Sequence, residues 1–503
     1  MKIVVSKYAR WDAPLLNVLG YVFMAFAIIA ALQATVAAYY DEPLAPFLYP
    51  AFGSMLISLP LITLFKRVKN MRVSEGLLLI MLSWLVVIIM GSIPFMMSGM
   101  SAVNAIFETT SGFTTTGATI IDPTALGAWP HSIIMWRAAT HWIGGMAVIL
   151  IFMMLLPLLG SGASSVSINE TQGAGPRKFS ARTRDTVRQF MLIYIGFSVI
   201  LALTCKALGV PLFDAICIAM STISTGGFLP VASLGVYSVW VQMVVMIFMF
   251  LGGTSFYLHY RAIYGRKISE YFKNTEFRAM AIWFAFAIFL VFIVLTVQTH
   301  VVEMTLGTFK DVVFTVVSLG TTTGFTTTNI TVWPVAAAFV LLLVMFLGGS
   351  SGSTAGGAKI YRFVLLTKYI KAAVLKTIHP RAIFDIKMDG ESTSSDAISS
   401  AISIMMLFFI TAMAGSLLAM LFGYSIIDSI SMSIASISNS GLALGSSFAS
   451  GSFSAIPDTL KMIMALLMWI GRMEILIAMT LFLPSFWKEI SISVKTKKKI
   501  RTR

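Results

Sequence analysis

The sequence predicts an all-α polytopic membrane protein: four helix–pore-loop–helix repeats in a pseudo-four-fold arrangement, preceded by two extra N-terminal transmembrane helices. Three observations carry that prediction. Of 503 residues, 57% are hydrophobic and 11% charged, with a mean hydropathy of +0.88. Soluble domains are about 25% charged, so too few charges remain here to cover a water-facing surface. Apolar runs of about 20 residues, the length a helix needs to cross a bilayer, recur ten times. A hydroxyl-rich, glycine-broken unit recurs four times between them.

The runs lie near 15–40, 48–65, 74–98, 130–159, 189–209, 236–259, 279–300, 335–372, 397–422 and 459–486. Lys2, Lys7 and Arg10 precede the first, which is far longer than the apolar core of a secretory signal and is expected to stay as a membrane helix. Residues 1–70 then form an N-terminal two-helix unit. Pore repeats follow over 71–160, 186–260, 276–372 and 396–488, with a basic tail over 489–503. The eighth run is interrupted at 348–357 by GGSSGSTAGG, which no regular helix accommodates.

The formal net charge of +15 raises the possibility of a nucleic-acid partner, but its placement argues against one. Of 36 basic residues, 31 fall at the N-terminus and in 66–72, 177–188, 261–278, 359–387 and 488–503. With ten spans these clusters share one side, which the positive-inside rule makes cytoplasmic, together with both termini. No base-reading or stacking groups accompany them. Cys205 and Cys217 lie in apolar or pore-region sequence without metal-ligand spacing and read as small apolar residues.

The recurring units are NAIFETTSGFTTTGAT (104–119), DAICIAMSTISTGGF (214–228), DVVFTVVSLGTTTGF (311–325) and DSISMSIASISNSGL (428–442). In each, an Asn or Asp precedes a Gly by thirteen residues: Asn104/Gly117, Asp214/Gly227, Asp311/Gly324 and Asp428/Gly441. Asn and Asp are good N-caps, so the pattern predicts half-helices capped by Asn104, Asp214, Asp311 and Asp428. Each would dip into the membrane with the unpaired carbonyls of its C-terminal end pointing inward. The Ser/Thr/Gly run would continue extended, which at this depth is tolerated only where backbone lines a water-filled cavity or is buried in protein. Four such runs around one axis would form a ring of carbonyls able to replace the hydration shell of a monovalent cation. A single Ser/Thr/Gly window is ordinarily a plain loop or a site of close helix packing; four matches in position and offset are not.

These segments resemble a superfamily of K+ transporters that includes the TrkH, KtrB and plant HKT proteins, over roughly residues 70–490. TTTGAT at 114–119 and STGGF at 224–228 resemble its first and second filters, and TTTGFTTT at 321–328 and SNSGLALG at 438–445 its third and fourth. WRAATHWIGGM (136–146) is similar to the helix after the first filter, and GRMEILIAMTLFLPSFW (471–487) to the last helix. GGSSGSTAGGAKIYR (348–362) resembles the family's interrupted gate helix. The two extra spans and the length favour the TrkH branch. The resemblance implies selective K+ uptake across a bacterial inner membrane, K+ as the transported ion with no organic cofactor in the chain, a homodimer among membrane lipids, and a cytoplasmic TrkA-type nucleotide-binding ring as regulator.

The filter is expected at Thr114, Thr115, Thr116 and Gly117; Ser224, Thr225, Gly226 and Gly227; Thr321, Thr322, Thr323 and Gly324; and Ser438, Asn439, Ser440 and Gly441. The fourth window departs from the pattern by offering an amide. The expected gate loop comprises Gly348, Gly349, Ser350, Ser351, Gly352, Ser353, Thr354, Ala355, Gly356 and Gly357, with Lys359 as an anchor at its end. A plain kink needs only one or two such residues. Arg472 lies roughly 20 Å from the cytoplasmic end of the last run, a depth at which a cation is a functional candidate. It reads as a pore barrier or as a strut paired with an acid, though Glu474, two residues on, points to another face. Arg137 and His141 read as supports of the first half-helix, with Glu108 as one possible partner. His131, His259, His300 and His379 read as interfacial or solvated. An ion-coupled (H+ or Na+) secondary transporter of K+ or Na+ is the alternative, and it predicts two inverted halves. A membrane enzyme is excluded by the lack of HExxH, paired intramembrane carboxylates or a Cys/His cluster.

Overall fold

The computed structural model describes residues 13–65, 73–155, 176–298, 305–382, 384–448 and 451–490. Lys2, Lys7, Arg10, the cluster at 66–72, His300 and the tail beyond 490 lie outside them. The chain is an all-α, multi-pass membrane protein. Helices α1 (Ala13–Tyr39) and α2 (Ala45–Leu64) form the N-terminal pair. Gly20 lets them touch: its carbonyl accepts from Ser58 Oγ at 2.7 Å, and an added Cβ would sit 2.9 Å from Ile62. Gln33 Nε2 donates to Ser132 O at 2.7 Å and so ties the pair to the first repeat.

Each repeat is an outer helix, a half-helix, a returning segment and an inner helix. The first consists of α3 (Val73–Met97), α4 (Ala102–Phe113) and α5 (His131–Leu155). The second is α6 (Pro176–Ala207), α7 (Leu212–Ile223), α8 (Val239–Gly252) and α9 (Phe256–Ile263), leading through α10 (Ser269–Lys273) into the third. The third is α11 (Thr275–Val297), α12 (Leu306–Gly320), α13 (Val335–Leu347) and α14 (Ile360–Ile378). A small hairpin, β1 (Lys387–Met388) and β2 (Glu391–Ser392), precedes the fourth: α15 (Ser395–Leu421), α16 (Ile426–Ile437), α17 (Asp458–Arg472) and α18 (Ile475–Thr480).

Among the described residues, seven helices are long and apolar enough to span a membrane unbroken. The ten-run reading is corrected accordingly. The eighth span breaks between α13 and α14 as expected, but the sixth and tenth break too. The sixth bends by 100° between α8 and α9, where Gly253 O, freed from its helix, accepts from Ser350 N at 2.9 Å. The tenth breaks at Glu474, whose φ is 64° and whose carboxylate pairs with Arg362 at 2.6 Å. These breaks follow a motif the repeat comparison missed. Inner helices carry aromatic–aliphatic–Gly–Gly at 142–145, 250–253 and 346–349, and Trp-Ile-Gly-Arg at 469–472.

In the first, second and fourth repeats the first glycine of that motif lets the inner helix cross the tip of its half-helix; in the third, Gly348 instead meets Gly356 O of the loop. An added Cβ would lie 1.9 Å from Phe113 O at Gly144, 3.1 Å from Ile223 O at Gly252 and 1.9 Å from Ile437 O at Gly471. Each carbonyl belongs to the last residue of the half-helix in the same repeat.

The half-helix caps are also corrected. Ser101, Thr305 and Ser425 cap α4, α12 and α16 through their side chains, while Pro211 precedes α7 without a side-chain cap. Asn104, Asp214 and Asp428 stand three residues further in, and Asp311 six. From there the acids reach the chain returning from their own filters. Asp214 accepts from Tyr237 Oη at 2.8 Å, Asp311 from Thr327 Oγ1 at 2.8 Å and Asp428 from Ser447 Oγ at 2.8 Å. Asn104 Oδ1 instead accepts from Lys461 Nζ at 2.8 Å, joining the first and fourth repeats. The physical reason is local: Ser425 and Thr305 already take the caps of α16 and α12, and Pro211 sets the start of α7, which leaves each Asp further along free to span the loop.

His259 is corrected as well. It is fully buried, with Nδ1 2.6 Å from Tyr271 Oη and Nε2 2.9 Å from Leu251 O, so it holds the end of the broken sixth span.

Gly144→Ala is expected to destabilise the protein by about 1–3 kcal/mol, the cost of overpacking. Gly196→Ala serves as a control, since nothing lies within 4 Å of its added Cβ. Thermal melting of detergent-extracted protein checks this; equal melting temperatures for the two variants would refute it.

Candidate functional site

The four half-helices end in one geometry. After α4, Thr115 N donates to Gly112 O at 2.9 Å and Thr116 N to Ser111 O at 2.8 Å. The same two bonds join Thr225 to Thr222 and Gly226 to Ser221, Thr322 to Leu319 and Thr323 to Ser318, and Asn439 to Ser436 and Ser440 to Ala435. This is a Schellman cap, in which a left-handed residue turns the chain out of the helix. The left-handed residues are Thr115, Thr225, Thr322 and Asn439, at φ 51°, 52°, 56° and 54°. Two residues on, Gly117, Gly227, Gly324 and Gly441 are again positive, at 85°, 100°, 79° and 67°. The expectation of unpaired carbonyls at these ends is therefore corrected: two in each last turn are taken by the filter's own amides.

The hydroxyls turn back toward the half-helices. Thr114 Oγ1 donates to Thr110 O at 2.6 Å and pairs with Thr116 Oγ1 at 2.7 Å; Thr321 Oγ1 donates to Val317 O at 2.8 Å and pairs with Thr323 Oγ1 at 2.9 Å. In the fourth segment Ser438 Oγ donates to Ile434 O at 2.6 Å. Asn439 does not present its amide as the sequence suggested. Its Nδ2 donates to Thr116 Oγ1 and to Met468 O, each at 2.9 Å.

The segments close on one another in order. A Cβ on Gly117 would lie 2.3 Å from Gly226 O, one on Gly227 2.4 Å from Thr323 O, one on Gly324 2.3 Å from Ser440 O, and one on Gly441 2.1 Å from Thr116 O. Each glycine meets the carbonyl just before its counterpart in the next repeat, and the fourth returns to the first. Four backbone segments thus encircle one axis.

A buried loop, residues 348–357, lies against this ring. Its neck is pinched, since a Cβ on Gly348 would meet Gly357 Cα at 2.9 Å. Thr354 Oγ1 donates to Ile223 O at 2.9 Å, Gly356 N to Thr322 Oγ1 at 2.7 Å and Gly357 N to Ser438 O at 2.9 Å. The loop therefore touches the second, third and fourth repeats at the ends of their half-helices. Lys359 Nζ donates back to Ala355 O. From the fourth inner helix, Arg472 Nη1 donates to Thr354 O at 2.8 Å, while Nε and Nη2 are buried without a partner among the described residues. Glu474 pairs with Arg362, so it is not the acid that would make Arg472 a strut. Arg472, Lys359, Arg362 and Asn439 line one cavity beside the loop. No group of three or more His, Cys, Asp or Glu able to hold a resident metal occurs among the described residues.

A family model described as TrkH, cation transport protein, matches residues 51–489. The chain belongs to the TrkH family. It is 33% identical over 433 residues to the Trk system potassium uptake protein TrkH of Halomonas elongata, covering 84% of this chain and 87% of that protein. It is 32% identical to TrkH of Escherichia coli K12, covering 84% of this chain and 88% of that one. The crystal structure of the potassium transporter TrkH from Vibrio parahaemolyticus superposes with a TM-score of 0.86 at 28% identity, covering 94% of this chain and 99% of that one.

In this TrkH-family chain the first repeat carries an ionic brace beside its Thr114–Gly117 segment. Arg137 Nε donates to Glu108 Oε1 at 2.8 Å, with both side chains buried. Glu108 Oε2 accepts from Ile120 N at 2.8 Å, Arg137 Nη2 donates to Thr119 Oγ1 at 2.9 Å, and the guanidinium lies 4.1 Å from the centre of the Phe228 ring. The brace thereby links the segments returning after Gly117 and Gly227. His141 fills the space beside Gly226, where an added Cβ would lie 1.6 Å from Nδ1. That accounts for the glycine at 226, where the other three segments carry Thr116, Thr323 and Ser440. Arg137→Gln would leave Glu108 buried and unpaired, at an expected cost of about 3–5 kcal/mol. An unchanged melting temperature would contradict this brace.

Proposed function

We propose that this TrkH-family chain carries K+ into bacteria across the inner (cytoplasmic) membrane, with both termini cytoplasmic, through one selective pore formed by its four repeats. The observation that supports this best is the closed cycle of glycine-to-carbonyl contacts. Four backbone segments held that tightly, with hydroxyls turned back, leave carbonyl oxygens to face an ion. The filter residues are Thr114–Gly117, Ser224–Gly227, Thr321–Gly324 and Ser438–Gly441. Loop 348–357 is the gate, and Arg472 is an electrostatic barrier below the filter that also fastens the loop through Thr354. The active form is a homodimer regulated by a cytoplasmic TrkA-type nucleotide-binding ring, a reading that rests on the family resemblance.

Rescue of a K+-uptake-deficient bacterium on low K+, with and without a TrkA-type partner, tests the whole reading; failure in every context overturns it. Gly324→Ser would push against Ser440 O and is expected to lower K+/Na+ discrimination, which equal uptake ratios in mutant and parent would rule out. Arg472→Ala is expected to raise uptake several-fold by removing both the barrier and the tie to the loop. A stable variant with parental or lower flux would show that the arginine does neither.

A further inference from the structure

We propose that Glu276 is the positioning residue that holds loop 348–357 closed from its cytoplasmic flank, and that the hairpin tip at Asp389 controls it. The proposal rests on reading that loop as the gate. Glu276 is buried in the first turn of α11. Its Oε1 accepts from two backbone amides of different elements: Ser351 N in the loop at 2.6 Å and Tyr361 N in the first turn of α14 at 3.2 Å. Amides in a helix's first turn and in a non-helical loop have no ladder partner, and charge-assisted bonds to them are about twice as strong as neutral ones. One carboxylate therefore joins the loop, the helix that follows it and the start of α11. The loop's bonds through Thr354, Gly356 and Gly357 face the filter, while Ser351 holds the other flank.

The start of α11 is itself fixed by the hairpin. Asp389 Oδ1 accepts from Thr275 N at 2.6 Å and Oδ2 from Asn274 Nδ2 at 2.9 Å, while Asn274 Oδ1 caps Phe277 N at 2.9 Å. Asp389 and Gly390 form the tip, at φ 50° and 90°, as an Asp-Gly turn between paired strands favours. On the hairpin's other side, Lys387 O accepts from Lys368 Nζ of α14 at 2.6 Å. The hairpin thus bridges the same two helices, α11 and α14, that Glu276 joins beside the loop. Thr275, whose amide Asp389 holds, is the residue immediately before Glu276 in the first turn of α11, so a shift of the exposed hairpin is passed directly to the carboxylate on Ser351. A regulator on the cytoplasmic side can release the loop by moving the hairpin, without reaching into the membrane.

The test uses the full chain reconstituted in lipid vesicles, with K+ uptake normalised to folded protein and measured without any partner. Asp389→Ala is expected to raise basal uptake about fivefold, the scale of a lost helix cap, and Asp389→Ser, which restores a capping oxygen, to return it toward the parental rate. Glu276→Ala is expected to raise it at least as much. Ser351→Cys is expected to react faster with a membrane-impermeant thiol reagent in the Asp389→Ala background. Should Glu276→Ala fail to fold, the exposed Asp389 pair and the labelling still decide. Unchanged or reduced uptake and unchanged labelling in Asp389→Ala, with Arg472→Ala raising uptake, overturn this proposal and leave the gate reading standing. If Arg472→Ala and both acid variants all leave uptake at the parental rate, the gate reading falls with it.

Discussion

Four chain segments can surround one narrow axis only if each passes its neighbour with no side chain between them. That constraint is met at Gly117, Gly227, Gly324 and Gly441, where the space for a Cβ is already filled by the next segment's carbonyl. Much of the fold serves to bring these glycines into register. The half-helices stop in a common cap, the left-handed residue turns the chain, and the glycine follows two positions later. The inner helices of the first, second and fourth repeats then cross the half-helix tips on glycines of their own. A side chain at either set of glycines would widen the ring or tilt a half-helix.

The common cap has a cost. A β-branched residue with positive φ is strained, by about 1–3 kcal/mol, and three of the four left-handed residues are threonines. Two of these threonines are engaged by the loop beneath: Thr322 Oγ1 takes Gly356 N, and Thr225 Oγ1 lies 3.4 Å from Thr354 Oγ1. The fourth is asparagine, which tolerates this conformation better, and its amide is anchored on Thr116 and Met468. The strained turn after the half-helix and the loop therefore share hydrogen bonds.

Much of this was legible in the sequence because the constraint repeats. The thirteen-residue offset and the glycine run at 348–357 mark the four half-helices and the broken eighth span. What escaped was of two kinds. The caps at Ser101, Thr305 and Ser425 were visible as hydroxyl residues one turn before polar positions, but the repeated Asp drew the reading to itself. The breaks at 253–255 and 473–474 need tertiary partners. Gly253 is released because Ser350 takes its carbonyl, and Glu474 turns left-handed beside Arg362, 112 residues away in the chain. A single-sequence hydropathy reading sees only continuous apolar runs there. The Asp-Gly tip at 389–390 was a readable turn, but its docking on the start of α11 was not.

The departures from symmetry fall where repeats meet different neighbours. Gly226 replaces a hydroxyl residue because His141 occupies its space, and Glu108–Arg137 braces only the first and second quadrants. At the second position of the inner-helix Gly-Gly pair, Gly145, Gly253 and Gly349 would place a Cβ within 2.9 Å of filter or loop atoms, so no side chain fits. In the fourth repeat that position is Arg472, and the room it needs lies beside the loop, in the cavity it shares with Lys359. The loop touches the second, third and fourth repeats, and the arginine meets it from the inner helix of the fourth. The guanidinium's bond to Thr354 O joins the two.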